Sequence, residues 1–138
     1  MPIQFKIITP MRTALEAEVT GIRLPAAKGE MEVLPGHASL ITSVDNGELT
    51  YTCPGQQPQS LFVGGGFLQV DKDDVLLVTD TALTVDEIDT SSVEAALARA
   101  QAAFRDGASV LDREEQTKLE AAIAKQMAML DFRKKRRL

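Results

Sequence analysis

The chain has no tryptophan, one tyrosine, one cysteine and one histidine in 138 residues. Each scarcity removes a class of function. A single cysteine excludes an internal disulfide and a thiolate-rich zinc site, and suits a reducing compartment. A single histidine excludes a multi-histidine metal centre. Aromatic residues make up 4 %, too few for the stacking platforms that grip single-stranded nucleic acid. No apolar run approaches the roughly 20 residues of a membrane helix. The opening residues MPIQFKIITP lack a basic stretch followed by an apolar one, so no secretory signal is read. What remains is an ordinary soluble composition, 44 % hydrophobic and 25 % charged. Lys and Arg number 15 against 20 Asp and Glu. Five of those cations are consecutive, at Arg133, Lys134, Lys135, Arg136 and Arg137, so the rest of the chain is twice as rich in carboxylates as in cations. An acidic body argues against a phosphate-backbone partner.

The pattern changes character near residue 86. Before it, apolar and polar residues alternate over short runs: Ile3 to Ile7, Val19 to Leu24, Leu49 to Thr52, Ser60 to Val63, Phe67 to Val70 and Val75 to Val78. Alternation is the mark of half-buried strands. Turn chemistry separates them, as in Asp45-Asn46-Gly47 and Cys53-Pro54-Gly55. Every proline and all glycines but Gly107 lie in this half. Many short strands with frequent turns predict an antiparallel sandwich or barrel. After residue 86 the composition turns to Ala, Glu, Gln, Lys and Leu, all good helix formers. Ser91 with Glu94, and Asp112 with Glu115, have the spacing of helix N-caps. Helices are predicted near 92–105 and 113–133. Val93, Leu97, Ala100 and Phe104 would share one face of the first, and Leu119, Ile123, Met127 and Leu130 one face of the second. The division is therefore a β domain over 1–85 and a helical hairpin over 86–138. A hairpin of that size needs a surface to lean on.

No catalytic or metal-binding constellation stands out. Gly64-Gly65-Gly66 fails the dinucleotide fingerprint, since Gln69 holds its last glycine position and a strand pattern follows. It is read as a glycine bulge or tight strand connection. His37 could serve a small β enzyme as a general base, but needs a nucleophile and an orienting partner that the sequence does not place. The basic run suits a solvated helix end, or docking on an acidic protein, nucleic acid or anionic lipid. The acidic body weakens the nucleic-acid option.

The segment Leu24-Pro25-Ala26-Ala27-Lys28-Gly29-Glu30-Met31-Glu32-Val33-Leu34-Pro35-Gly36-His37-Ala38 resembles the signature of the epsilon subunit of F-type ATP synthases. Ile8-Thr9-Pro10, Gly47-Glu48-Leu49, Val63 to Val70 and Val75 to Ala82 agree in order and spacing. The resemblance implies a flattened sandwich of about ten short strands followed by a C-terminal α-helical hairpin. It implies a rotor subunit without catalysis, metal or cofactor of its own. Its partners would be the gamma subunit, the membrane c-ring and, with the hairpin extended, the catalytic beta subunit. The extended hairpin would inhibit ATP hydrolysis. The location would be peripheral, on the cytoplasmic face of the bacterial inner membrane, held only through the complex.

The resemblance also assigns residues. Glu30 and His37 fall at the c-ring and gamma interface. Glu32 stands where many family members have glycine. Some members hold ATP at a motif of form I/L-D-x-x-R-A; here Ile88 and Asp89 keep its start, while Ser92 replaces the arginine and Val93 the alanine. Loss of the guanidinium removes a charge-assisted phosphate contact, so weak nucleotide binding or none is expected. Arg133, Lys134, Lys135, Arg136 and Arg137 would meet acidic residues of the beta subunit as an inhibitory contact. Two rivals stay open at this point, a stand-alone β enzyme using His37 and a nucleic-acid module using the basic end.

Overall fold

The computed structural model describes residues 2–107 and 112–136, the side chain of Arg136 excepted. It falls into two compact units, Met1–Thr84 and Val85–Leu138. The first is a sandwich of eight strands: β1 (Ile3–Ile8), β2 (Thr13–Val19), β3 (Gly21–Ala26), β4 (Gly29–Val33), β5 (Leu40–Val44), β6 (Gly47–Thr52), β7 (Gln59–Asp71) and β8 (Asp74–Leu83). The alternation is realised directly. In β1, Ile3, Phe5 and Ile7 are buried while Gln4 and Lys6 face out. Ile22 and Leu24 of β3, Leu68 and Val70 of β7, and Val75 and Leu77 of β8 complete the same core.

The described residues form eight strands against the about ten expected, and part of the difference is that two expected strands are one. Ser60 to Val63 and Phe67 to Val70 belong to β7, thirteen residues long. Its first half pairs with β6, from Tyr51↔Gln59 to Gly47↔Val63. Its second half pairs on the same edge with β5, from Val44↔Gly66 to Leu40↔Val70. β8 follows both halves on the other edge. The strand thus changes partners at Gly64-Gly65-Gly66 and carries the sheet from one layer to the other. A Cβ on Gly66 would lie 2.0 Å from the Val78 carbonyl oxygen, so only glycine permits this approach. Polar groups fix the crossing. The buried Thr79 hydroxyl donates to the Gly64 carbonyl, and the Gly65 N–H donates to Asn46 Oδ1 at 2.9 Å.

β1 pairs with β2 antiparallel and with β8 parallel, joining the two ends of the sandwich sequence. β2 and β4 form the outer ends of the strand order. Glu16 and Glu18 on β2 and Glu30 and Glu32 on β4 put charge on both, which discourages edge-to-edge pairing with other chains.

Tyr51 gives the sandwich a spectroscopic handle. It is half-buried in β6 and meets the Phe5 ring edge-on, with centroids 6.5 Å apart. Burial raises its hydroxyl above the ordinary 10.0, and Cys53 adds in the same direction. A raised folded-state value means the neutral phenol is favoured in the fold. That contribution is intact below 10.0 and is lost as pH rises through the folded-state value. As the chain has one tyrosine, alkaline absorbance titration reads Tyr51 alone. The midpoint is expected above 10.0 in native protein and back near it in denaturant. Equal midpoints would show that the ring is solvated in the fold.

The second unit holds a short 3-10 turn at Val85–Glu87 and two helices, α1 (Thr90–Gly107) and α2 (Arg113–Arg136). The cap of α1 is Asp89, not Ser91: its Oδ1 accepts from the N–H groups of Ser91 at 3.1 Å and Ser92 at 3.4 Å. Asp precedes Ser in the chain and offers the same acceptor, so the helix starts earlier than the serine spacing suggested. Asp112 caps α2 as the spacing predicted, accepting from the Glu115 N–H at 2.8 Å. The helices run antiparallel. Thr90, Glu94 and Leu97 at the start of α1 face Met127, Leu130 and Lys134 near the end of α2 across a shared groove. Val93 is buried and Leu97, Ala100 and Phe104 are partly so, as the stripe of α1 predicted. On α2 the buried residues are Met129 and Phe132, while Met127 of the expected stripe is exposed.

Candidate interaction surfaces

Strand phase puts an apolar strip on the outside of the sandwich. In β7, Leu68 and Val70 point inward, so Phe67 points outward. It stands directly opposite Val78 of β8. Ile8 of β1 is the next partner of Val78 along the same row. Ile41 of β5 lies one step diagonally away, opposite Gln69. Ile41 is 73 % exposed, Phe67 64 % and Val78 47 %. A shallow depression between Ile8, Pro10, Gly66 and Val78 adjoins them. Large apolar side chains clustered on the outer face of a sheet mark an interaction surface. The sequence reading did not single out these residues. Their signal was phase: once Leu68 and Val70 are assigned inward, Phe67 must face out.

Glu30 sits near the start of β4 and His37 in the turn after it. Glu30 is ion-paired across the strands with Arg23 of β3, Oε1 to Nε at 3.2 Å. Glu32, directly opposite Arg23 in register, approaches the other side of the same guanidinium at 3.8 Å. Glu32 is thus a strand residue with a charge partner. All three side chains are more than half exposed, so each pair contributes at most about 1 kcal/mol. The His37 N–H closes a turn on the Leu34 carbonyl at 3.1 Å, with Gly36 at φ 83° supplying the left-handed position. The ring contacts the Ala38 carbonyl at 2.7 Å through Nδ1. A carbonyl only accepts, so Nδ1–H is the donor in this contact.

In the helical unit, Ile88 is 2 % exposed and Asp89 holds the helix cap. The Thr90 hydroxyl beside them is buried without a partner among the described residues. Toward the end of α2 the basic run is helical through Arg136. Arg133 is half-buried and donates from Nε to the Ile88 carbonyl at 3.1 Å. Lys134 and Lys135 are exposed. Arg137 lies outside the described residues, as does the side chain of Arg136. No cluster of three metal-ligating side chains occurs among the described residues. No described helix is long and apolar enough to cross a membrane.

Residues 2–85 match the family model described as ATP synthase, Delta/Epsilon chain, beta-sandwich domain. An ATP synthase epsilon chain of Herpetosiphon aurantiacus is 36 % identical over 138 residues, covering 99 % of this chain and 98 % of its own. This chain belongs to the ATP synthase epsilon family. A second epsilon chain, from Geobacter metallireducens, is 41 % identical over 121 residues, covering 88 % of this chain and 86 % of that one. The fold is also that of a chain in the Euglena gracilis mitochondrial ATP synthase, in a structure of its OSCP, F1 and c-ring. There the TM-score is 0.76 at 23 % identity, covering 94 % of this chain and 80 % of the other. Epsilon-family membership joins the strands and the hairpin into one subunit of a larger machine, and interaction surfaces become the relevant sites.

Proposed function

We propose that this epsilon-family chain is a non-catalytic rotor subunit of a bacterial-type proton-translocating ATP synthase. Its sandwich links the gamma subunit to the c-ring, and its hairpin restrains ATP hydrolysis by reaching the beta subunit. The observation that carries the reading is the outward apolar strip of Ile41, Phe67 and Val78, which needs a partner to cover it. The gamma subunit is that partner. Glu30 and His37 supply the polar contact toward the c-ring. The chain then lies on the cytoplasmic face of the membrane through the complex alone. Nucleotide is not part of the proposal, since Asp89 already serves backbone N–H groups and Ile88 is buried.

The restraint is assigned to the basic run at the end of the chain, through cations that face solvent, Lys134 and Lys135 among them, meeting carboxylates. An exposed pair is worth about 0–1 kcal/mol, but several acting together bias a two-position element. Assembled complexes carrying the full chain, a chain ending at Thr84, and a chain with all five cations changed to Ala test both halves. The shortened chain is expected to retain gamma. Both altered complexes are expected to hydrolyse ATP faster than the parent, and added salt to raise the parent toward them. Hydrolysis equal in all three removes the inhibitory role; loss of gamma with the shortened chain removes the sandwich as the docking unit.

A further inference from the structure

Arg133, Lys134 and Lys135, near the end of α2, are not equivalent in their surroundings. Arg133 is half-buried and turned toward the start of the hairpin, where its Nε donates to the Ile88 carbonyl. That carbonyl belongs to a residue 2 % exposed, just before the cap of α1. It lies outside the helical ladder, so Arg133 supplies the partner that a buried carbonyl requires. The bond is charge-assisted and therefore stronger than a neutral one. The neighbouring cations Lys134 and Lys135 point to solvent. α2 also packs on the 3-10 turn at Val85–Glu87, so the segment leading into α1 is held by packing as well as by this bond.

We propose that Arg133 is a latch that pins the segment leading into α1 to the end of α2, and that within the basic run it opposes the action of Lys134 and Lys135. Arg133 keeps the hairpin closed on itself. Lys134 and Lys135 are the charges free to meet a partner's carboxylates. The second half rests on the inhibitory reading of the basic run; the first does not. Arg133 is a positioning residue, since it acts through the backbone it holds.

Hydrogen exchange on the full chain tests the latch without reference to any partner. In Arg133→Gln, the amides of residues 88–93 are expected to exchange about tenfold faster, as local opening loses a charge-assisted bond. Arg133→Lys keeps the charge but not the planar fork and is expected to fall between the two. The double change Lys134→Ala with Lys135→Ala is expected to leave those amides unchanged. Arg133→Gln exchanging like the parent, or the double variant speeding exchange equally, overturns the latch. In the assembled complex the two changes are expected to act with opposite sign. Arg133→Gln lowers ATP hydrolysis severalfold by freeing the hairpin, and the lysine pair raises it. If both raise hydrolysis and exchange is unmoved, Arg133 is a partner contact like its neighbours and the proposal falls. If Arg133→Gln speeds exchange but neither variant moves hydrolysis, the latch stands and the inhibitory reading fails.

Discussion

Changing Gly66 to alanine is expected to cost the sandwich about 3 kcal/mol or more. The added Cβ would sit 2.0 Å from the Val78 carbonyl oxygen and 3.0 Å from the Thr79 Cα. Both obstacles are backbone of the paired strand, so no side chain can rotate away. Relief requires β7 and β8 to separate where the sheet passes between layers, and that breaks the Thr79 hydroxyl contacts with the Gly64 and Gly65 carbonyls. For a unit of this size the loss corresponds to a melting point lower by about 12 °C or more. Gly55→Ala is the control. Its Cβ meets nothing within 4 Å, and only the positive φ of 72° opposes it, at about 1 kcal/mol. Similar melting points for the two variants would show that the strands yield cheaply at the crossing.

Phe67→Asp is expected to weaken binding of the full chain to the gamma subunit at least about tenfold. Phe67 is the largest member of the exposed strip and stands between Val78 and Ile41. An aromatic anchor at the middle of an apolar patch carries a disproportionate share of binding energy, and a carboxylate there would be desolvated without a partner. The isolated chain is expected to melt within about 1 kcal/mol of the parent, because the side chain is mostly in solvent. Co-sedimentation or calorimetry with gamma reads the affinity, and thermal unfolding reads the stability. Unchanged affinity would leave the strip without the proposed partner.

Strands that alternate cleanly were legible as strands. Ile3, Phe5 and Ile7 declare a buried face, and β1 lies where that pattern lies. β2 was not legible, because Thr13-Ala14-Leu15-Glu16-Ala17-Glu18-Val19 is rich in helix formers. Pairing with β1 overrides that preference. β4 carries its information as charge: Glu30 and Glu32 make sense only once Arg23 is seen across the ladder. The cap of α1 was displaced by two residues, since Asp89 and Ser91 are both good caps and one-dimensional spacing does not choose between them. The expected stripe of α2 holds at Leu119, Ile123 and Leu130, which are partly buried, and fails at Met127, which is exposed while Met129 and Phe132 are buried. The basic run looked like a uniform cationic end. Only three-dimensional placement separates Arg133, which holds a buried carbonyl, from the exposed lysines that follow.

The parallel pairing of β1 with β8 bears on the order in which the chain can fold. The first strand finds one of its two neighbours only when the last strand of the sandwich has been made. Pairing between such distant segments is slow, because loop closure must precede any gain from contact. During synthesis β1 and β2 can form a hairpin early, but its other edge stays open until β8 arrives. The sandwich therefore behaves as a clasp that closes from its C-terminal side. The hairpin segment emerges immediately afterwards, beginning at Val85, so the helices are the first part of the chain to be made once the β unit can close.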